Sequence, residues 1–259
     1  MRSSQLSLDQ YDTDKISNNY LEAYDPFLEP LVEKEMALLE LGVYHGGSLL
    51  LWRDYFPSGT IVGIDVKLPT LSQSSERIHL FEGSQADPNF LSRVSNKIAP
   101  DGFDVIIDDA THIGQLSKIA FWHLFENHLK PGGLYVIEDW GTGYWSDWHD
   151  GKSLDLEKYL RPGLIRHLFR LRIVSRFWFE IARVVRWRRP LKNHSHGMVG
   201  FIKQLIDEQG AEDATRGSQF GEPGRGSRFE SITIIPSIVF VRKAQIRSGE
   251  LSPQSFPAL

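Results

Sequence analysis

Two short acidic stretches carry most of the chemistry open to this chain. Asp108-Asp109-Ala110-Thr111-His112 and Glu138-Asp139 each set adjacent carboxylates at the end of an apolar run. Burying like charges together is unfavourable unless a cation or a proton compensates. Oxygen donors with open positions suit magnesium or manganese, which keep waters and accept substrate oxygens. His112, three residues past Asp109, is spaced to reach the same point and to act as a general base near neutral pH. The plainer reading is that these acids cap helix N-termini and that His112 packs or caps. Capping accounts for one acid per terminus, and less well for two pairs. His194 and His196 read as loop or helix-cap residues rather than ligands.

A second constellation is Met36-Ala37-Leu38-Leu39-Glu40-Leu41-Gly42-Val43-Tyr44-His45-Gly46-Gly47-Ser48. An apolar run breaks into glycines and resumes as a helix start, an arrangement in which backbone can approach a ligand closely. The next apolar run, Ile61-Val62-Gly63-Ile64, ends on Asp65, whose two carboxylate oxygens can take two ribose hydroxyls. A plain strand–helix–strand unit packed at its glycines is the alternative, and the acid at the second strand end favours a nucleotide-like cofactor.

The elements that must position these groups alternate regularly. Strands are expected at Ala37 to Leu41, Thr60 to Asp65, Ile78 to Glu82, Phe103 to Ile107 and Leu134 to Ile137. Helices are expected near Phe27 to Glu33, Ser48 to Tyr55, Asn89 to Ile98 and Gly114 to Leu129, the last ending at Lys130-Pro131-Gly132-Gly133. Met198 to Gln209 should form a further helix, and residues 232–235 and 238–241 a closing β-hairpin. The expected fold is α/β: a doubly wound, mostly parallel seven-stranded Rossmann-like sheet with a C-terminal antiparallel hairpin. Ligands in such sheets bind beyond the carboxyl ends of the strands. Those ends carry Glu40-Gly42, Asp65, Gly83-Gln85, Asp108-Asp109 and Glu138-Asp139. The expected organisation is a leader or lid over 1–35, with Met1 to Asp9 loose and polar, and a cofactor-binding core over 36–150. A basic helical insertion over 151–192, a helix and hairpin over 193–243 that complete the core, and a tail over 244–259 follow.

Composition narrows the class. With 259 residues, 41% hydrophobic and 24% charged, the chain can bury a core. A net charge of −4 argues against a general nucleic-acid binder, and the absence of cysteine removes thiolate ligands and nucleophiles. No apolar signal-peptide core opens the chain, and no window is long enough to span a bilayer. A cytoplasmic protein is the expectation. Residues 164–191 qualify it, because eight arginines interleave there with Phe169, Phe177, Trp178, Phe179 and Trp187. That pattern leaves open a helix at the inner face of a membrane, a lid, or a homo-oligomer contact.

Taken together, the motifs resemble class I S-adenosylmethionine-dependent methyltransferases. They are most similar to the metal-dependent sugar O-methyltransferases that act on mycinamicin and macrocin, with rhamnosyl O-methyltransferases and cephalosporin hydroxylase-like proteins also similar. The resemblance rests on Thr13-Asp14-Lys15, Leu39-Glu40-Leu41-Gly42-Val43 with Gly46-Gly47-Ser48-Leu49, and Trp52-Arg53-Asp54-Tyr55-Phe56-Pro57. It continues through Val62-Gly63-Ile64-Asp65, Gly83-Ser84-Gln85-Ala86-Asp87, Asp108 to His112, and Gly132 to Asp139. It implies S-adenosyl-L-methionine as cofactor, with Glu40 and Gly42 at its methionine end, Asp65 on the ribose, and Ser84 and Gln85 near the adenine. Tyr44 and Gly46 on the glycine turn and Asp108 at the fourth strand end complete that expected set. It further implies Mg2+ held by Asp109, Glu138 and Asp139, with Asp109 and His112 as the catalytic pair. The implied substrate is a small hydroxylated molecule, a glycoside among the choices. Tyr44 replaces a common middle glycine and Ala110 a usual glycine after the aspartate pair. A nicotinamide-dependent oxidoreductase and a non-catalytic cofactor binder are the competing expectations, since strand–glycine–helix–acid is shared among such folds.

Overall fold

The computed structural model of the protein describes residues 1–73, 75–145, 147–151 and 195–245. The stretch 164–191, and with it any membrane or oligomer contact it makes, lies outside the described residues, as do His194 and the tail from 246. Among the described residues, no helix is long and apolar enough to cross a membrane.

Seven strands form one sheet: β1 (Ala37–Leu41), β2 (Thr60–Asp65), β3 (Ile78–Glu82), β4 (Phe103–Asp108), β5 (Leu129–Glu138), β6 (Phe229–Ile234) and β7 (Ile238–Lys243). Their order is β3-β2-β1-β4-β5-β7-β6. The first five run parallel, and β7 joins β5 antiparallel and closes the hairpin with β6. The helices are α1 (Asp14–Ser17), α2 (Tyr20–Leu28), α3 (Gly47–Tyr55), α4 (Pro88–Ile98), α5 (Gly114–Asn127), α6 (Gly197–Gln209) and α7 (Ala211–Ala214).

Strand alternation splits the core in two. Leu39, Leu41, Ile106, Tyr135 and Ile137 join one apolar cluster with α4, α5 and α6. Leu38, Val105, Ile107, Leu134 and Val136 face the other cluster, with α2 and α3. The same period of two sets Glu40 and Glu138 on the α2/α3 side and Asp108 on the α5 side. Register then gathers these acids, because Leu41 pairs with Asp108 and Asp108 with Ile137.

Three local expectations are corrected. The first long helix is α2 rather than Phe27 to Glu33, with Pro26 inside it and a 3-10 turn after it. Five of its residues, Tyr20, Leu21, Tyr24, Asp25 and Leu28, are buried, and their 3–4 residue spacing is what a helix packed on a sheet requires. The strand expected from Leu134 begins at Leu129, which pairs with Phe103; the ladder slips before Val105 meets Leu134. Gly132 at φ 74° accommodates that irregularity, so Lys130 to Gly133 lie inside the strand rather than at a helix end. The leader, finally, is docked. Buried Ser3 donates through Oγ to Asp25 at 2.5 Å, and Asp25 also accepts from Tyr55 at 2.6 Å.

Candidate functional site

A cavity of about 510 Å³ opens at the carboxyl ends of the parallel strands. That size falls in the usual range for small-molecule sites, roughly 300–1,000 Å³. Its walls include Gly42, Tyr44, Asp65, Ser84, Gln85, Asp109, His112 and Asp139, together with Asp12, Thr13 and Asp14 from the N-terminal segment. The chain thus brings the glycine turn, the acid at the end of β2 and the Asp109/His112/Asp139 group into one space.

Asp65 sits where β2 meets the cavity. Its Oδ2 accepts from the backbone N–H of Val43 at 2.8 Å and of Tyr44 at 3.2 Å, and its Oδ1 from Lys67 at 3.1 Å. The carboxylate therefore ties the glycine turn to β2 and presents its edge to the cavity. Tyr44 rides on that turn at φ 47°, with 79% of its surface exposed and its ring stacked on His45 at 3.8 Å. The glycines serve the protein's own backbone. A Cβ at Gly42 would collide with the carbonyl of Asp109, and one at Gly47 with the carbonyl of Asp12. Gly46, at φ 84°, precedes α3 against Leu71 and is absent from the cavity wall.

Asp108 stands behind the wall. Its Oδ1 accepts from Gln85 Nε2 at 3.2 Å, while Gln85 Oε1 accepts from the N–H of Thr111 at 3.1 Å. Asp108 thus orients Gln85 from inside the protein. Burial pushes its carboxyl up to about 6. A raised folded-state pKa means that stability is fully present below the ordinary 3.8 and is lost as pH rises through about 6. Asp108→Asn is expected to flatten this loss: the stability difference between variant and wild type, read by urea denaturation, should grow in the variant's favour between pH 4 and pH 7. Parallel curves would remove Asp108 as the titrating group.

The cation that compensates the buried acids is Lys15. Its ammonium is fully buried and lies 2.6 Å from Asp109 Oδ2, 2.9 Å from Glu138 Oε2 and 3.3 Å from Glu40 Oε1. Burial alone would lower its pKa; the three carboxylates outweigh that and hold it well above the ordinary lysine range. Glu40 also accepts from Ser48 Oγ at 2.7 Å and from Trp52 Nε1 at 3.4 Å. It is fully buried behind the glycine turn and does not itself line the cavity, which it meets through Ser48. Glu138 is equally enclosed, its second oxygen accepting from the hydroxyl of Tyr24. Burial, with Asp109 nearby, pushes the Glu138 carboxyl up to about 8. The crowded carboxylates are therefore compensated in part by a lysine supplied from the N-terminal segment. Thr13-Asp14-Lys15 was legible as a motif, but not as a charge partner.

Among the described residues, Asp109, His112 and Asp139 bring their possible ligand atoms within 4.8 Å of one another. Glu138 stands outside this group. His112, at φ 49°, places Nε2 3.7 Å from Asp109 Oδ1 and 3.9 Å from Asp139 Oδ2. Asp139, at φ 51°, accepts through Oδ1 from Tyr20 OH at 2.6 Å. With Tyr44, three non-glycine residues of the cavity wall lie in the left-handed region, where the backbone is held against its preference. Two carboxylates and an imidazole are a donor set that a divalent cation can use, and the remaining positions are open to substrate oxygens.

No family model matches the chain. Among curated proteins it is similar to the mycinamicin VI 2''-O-methyltransferase of Micromonospora griseorubida, with 38% identity over 129 residues, 47% of this chain and 31% of that protein. The 8-demethyl-8-(2-methoxy-alpha-L-rhamnosyl)-tetracenomycin-C 3'-O-methyltransferase of Streptomyces olivaceus is 37% identical over 152 residues, 56% of this chain and 38% of that protein. Demethylmacrocin O-methyltransferase of Streptomyces fradiae is 36% identical over 141 residues, 50% of this chain and 35% of that protein. The chain spans about a third of the length of these relatives. Among solved structures it resembles the MycE methyltransferase of the mycinamycin biosynthetic pathway in complex with Mg, SAH and mycinamycin VI. That match has a TM-score of 0.60 and 25% identity, and covers 91% of this chain and 52% of the other. Sheet order and hairpin are those of the α/β methyltransferase fold.

Proposed function

We propose that the protein is an S-adenosylmethionine-dependent, Mg2+-assisted O-methyltransferase acting on a hydroxyl of a glycosylated small molecule. The observation that carries this reading is one continuous cavity running from Asp65 and the glycine turn to Asp109, His112 and Asp139. It joins a place for a nucleoside to a place for a cation and a base. The curated relatives are sugar and macrolide O-methyltransferases, and the similar solved structure holds Mg and SAH, which supports the same assignment.

Asp65 takes the ribose hydroxyls, Gly42 and Tyr44 border the cofactor's amino-acid end, and Ser84 and Gln85 border its base, with Asp108 fixing Gln85. Asp109 and Asp139 hold Mg2+. Glu138 joins them only by exchanging its contact with Lys15 or Tyr24. Since Mg2+ favours oxygen ligands, His112 is left as the base that takes the acceptor proton at Nε2. When bound, S-adenosylmethionine supplies a reactive methyl group and Mg2+ acidifies the acceptor hydroxyl. What the chain adds is alignment, bringing hydroxyl and methyl together at the mouth of one cavity.

The test is calorimetric. S-adenosylhomocysteine should bind and NADH should not. Asp65→Ala should weaken S-adenosylhomocysteine by roughly 1.5–3 kcal/mol, the size of a lost charge-assisted hydrogen bond. Asp139→Asn should instead lose Mg2+ binding and keep the cofactor. Tight NADH binding with no affinity for S-adenosylhomocysteine would overturn the assignment in favour of hydride transfer.

A further inference from the structure

Beyond Asp139 the chain makes a tight aromatic loop that the cofactor cavity does not use. A 3-10 turn, Trp140–Tyr144, leads into Trp145 and Trp148. Trp145 is 54% exposed and Trp148 36% exposed. Their rings stand 6.4 Å apart at 89°, and Trp148 lies 5.9 Å from the ring of His112. Two indoles at right angles, both open to solvent, thus form a corner whose inner wall adjoins the candidate base.

Both ends of the loop are pinned. The hydroxyl of buried Thr142 donates to the carbonyl of His112 at 3.3 Å, and the N–H of Trp145 donates to Thr142 at 2.9 Å. At the far end Asp150 Oδ2 accepts from the N–H of Gly114 at 2.7 Å and of Met198 at 2.8 Å. The carbonyl of Trp145 packs so closely on Gly151 that a Cβ there would clash. The corner is therefore tied to the same elements that carry His112.

We propose that Trp145 and Trp148 form a saccharide subsite, binding the apolar C–H face of a pyranose ring so that a ring hydroxyl points to His112. This rests on the methyl-transfer reading for its purpose, and assigns the residues that would hold the sugar that reading requires. A pyranose combines a flat C–H face with a rim of hydroxyls, and so needs an apolar plane beside polar groups. The corner offers that plane next to Asp109, His112 and Asp139, with exposed Asp147 and His149 on the same loop. Aromatic faces serve this role with little ordering cost, since indole has two side-chain torsions.

The experiment reads sugar binding without turnover. Saturation-transfer NMR on the full chain, with methyl α-L-rhamnopyranoside as probe, should show transfer concentrated on ring C–H protons. Trp148→Ala and Trp145→Ala should each weaken the probe by about 3–10-fold, the span of one aromatic contact, while Trp→Phe at either position retains most of the binding. Calorimetric affinities for S-adenosylhomocysteine and Mg2+ should stay unchanged in all four variants, which also reports that they fold. No transfer to the wild-type protein, or transfer that survives both alanine changes, overturns the subsite. A protein that binds the sugar in this tryptophan-dependent way but not S-adenosylhomocysteine would instead overturn the methyl-transfer reading and leave the subsite standing.

Discussion

Replacing His112 is expected to lower kcat by roughly 10²–10⁴-fold, the usual size of a general-base effect, with little change in S-adenosylhomocysteine affinity. The imidazole is suited to the role by where it is held. Its Nε2 stands 3.7 and 3.9 Å from the nearest oxygens of Asp109 and Asp139, beyond hydrogen-bond range of either. The side chain is only 14% exposed, so competing solvent is limited. Because His112 has φ 49°, an alanine there adds backbone strain to the loss of the base. His112→Asn is the cleaner variant, since asparagine tolerates the left-handed region and cannot take the proton. Both variants should lose turnover alike and keep Mg2+ binding by calorimetry. A folded His112→Asn enzyme retaining more than about a tenth of wild-type kcat would remove His112 as the base.

Lys15→Met should cost about 3–5 kcal/mol of stability, the range for removing one partner of a buried ion pair. The ammonium is the shared partner of Glu40, Asp109 and Glu138, which descend from three different strands, β1, β4 and β5. Without it, the fully buried Glu40 and Glu138 lose their counter-charge beside the partly exposed Asp109. Lys15→Arg should not rescue, because the lysine side chain is fully enclosed and a guanidinium is larger. Lys15→Met combined with Glu138→Gln should recover part of the loss, since a neutral amide can still meet Tyr24 and one acid fewer is left without a counter-charge. Urea denaturation of the three variants checks this. A Lys15→Met loss below about 1 kcal/mol would mean that water or rearrangement, rather than Lys15, satisfies the acids.

These two residues illustrate what each level of description decides. The strands at Ala37–Leu41, Thr60–Asp65 and Ile78–Glu82 were legible residue for residue, because apolar runs bounded by glycine, proline and polar turns are local signals. The hairpin was legible for the same reason, although its strands, Phe229–Ile234 and Ile238–Lys243, differ from the 232–235 and 238–241 expected. So was the position of the cavity, since ligands in such sheets collect at the strand ends and Asp65, Asp109 and His112 stand there in sequence order.

Tertiary structure alone decided which charges meet. Lys15 reaches Asp109 across 94 positions and Glu138 across 123, and a charged residue near the N-terminus carries no local mark of burial. From the sequence, paired acids at two strand ends called for a cation, and a metal was the expected one. In the folded chain an internal lysine takes one oxygen of Asp109 and of Glu138, leaving Asp139, His112 and the other oxygen of Asp109 to converge. The glycines followed the same rule. Their spacing foretold a close backbone approach, and only packing revealed that Gly42 and Gly47 admit the carbonyls of Asp109 and Asp12. Pattern along the chain fixes a residue's face and element, because those depend on neighbours a few positions away. Its partner across the sheet depends on register and on the docking of distant segments, which no local pattern encodes.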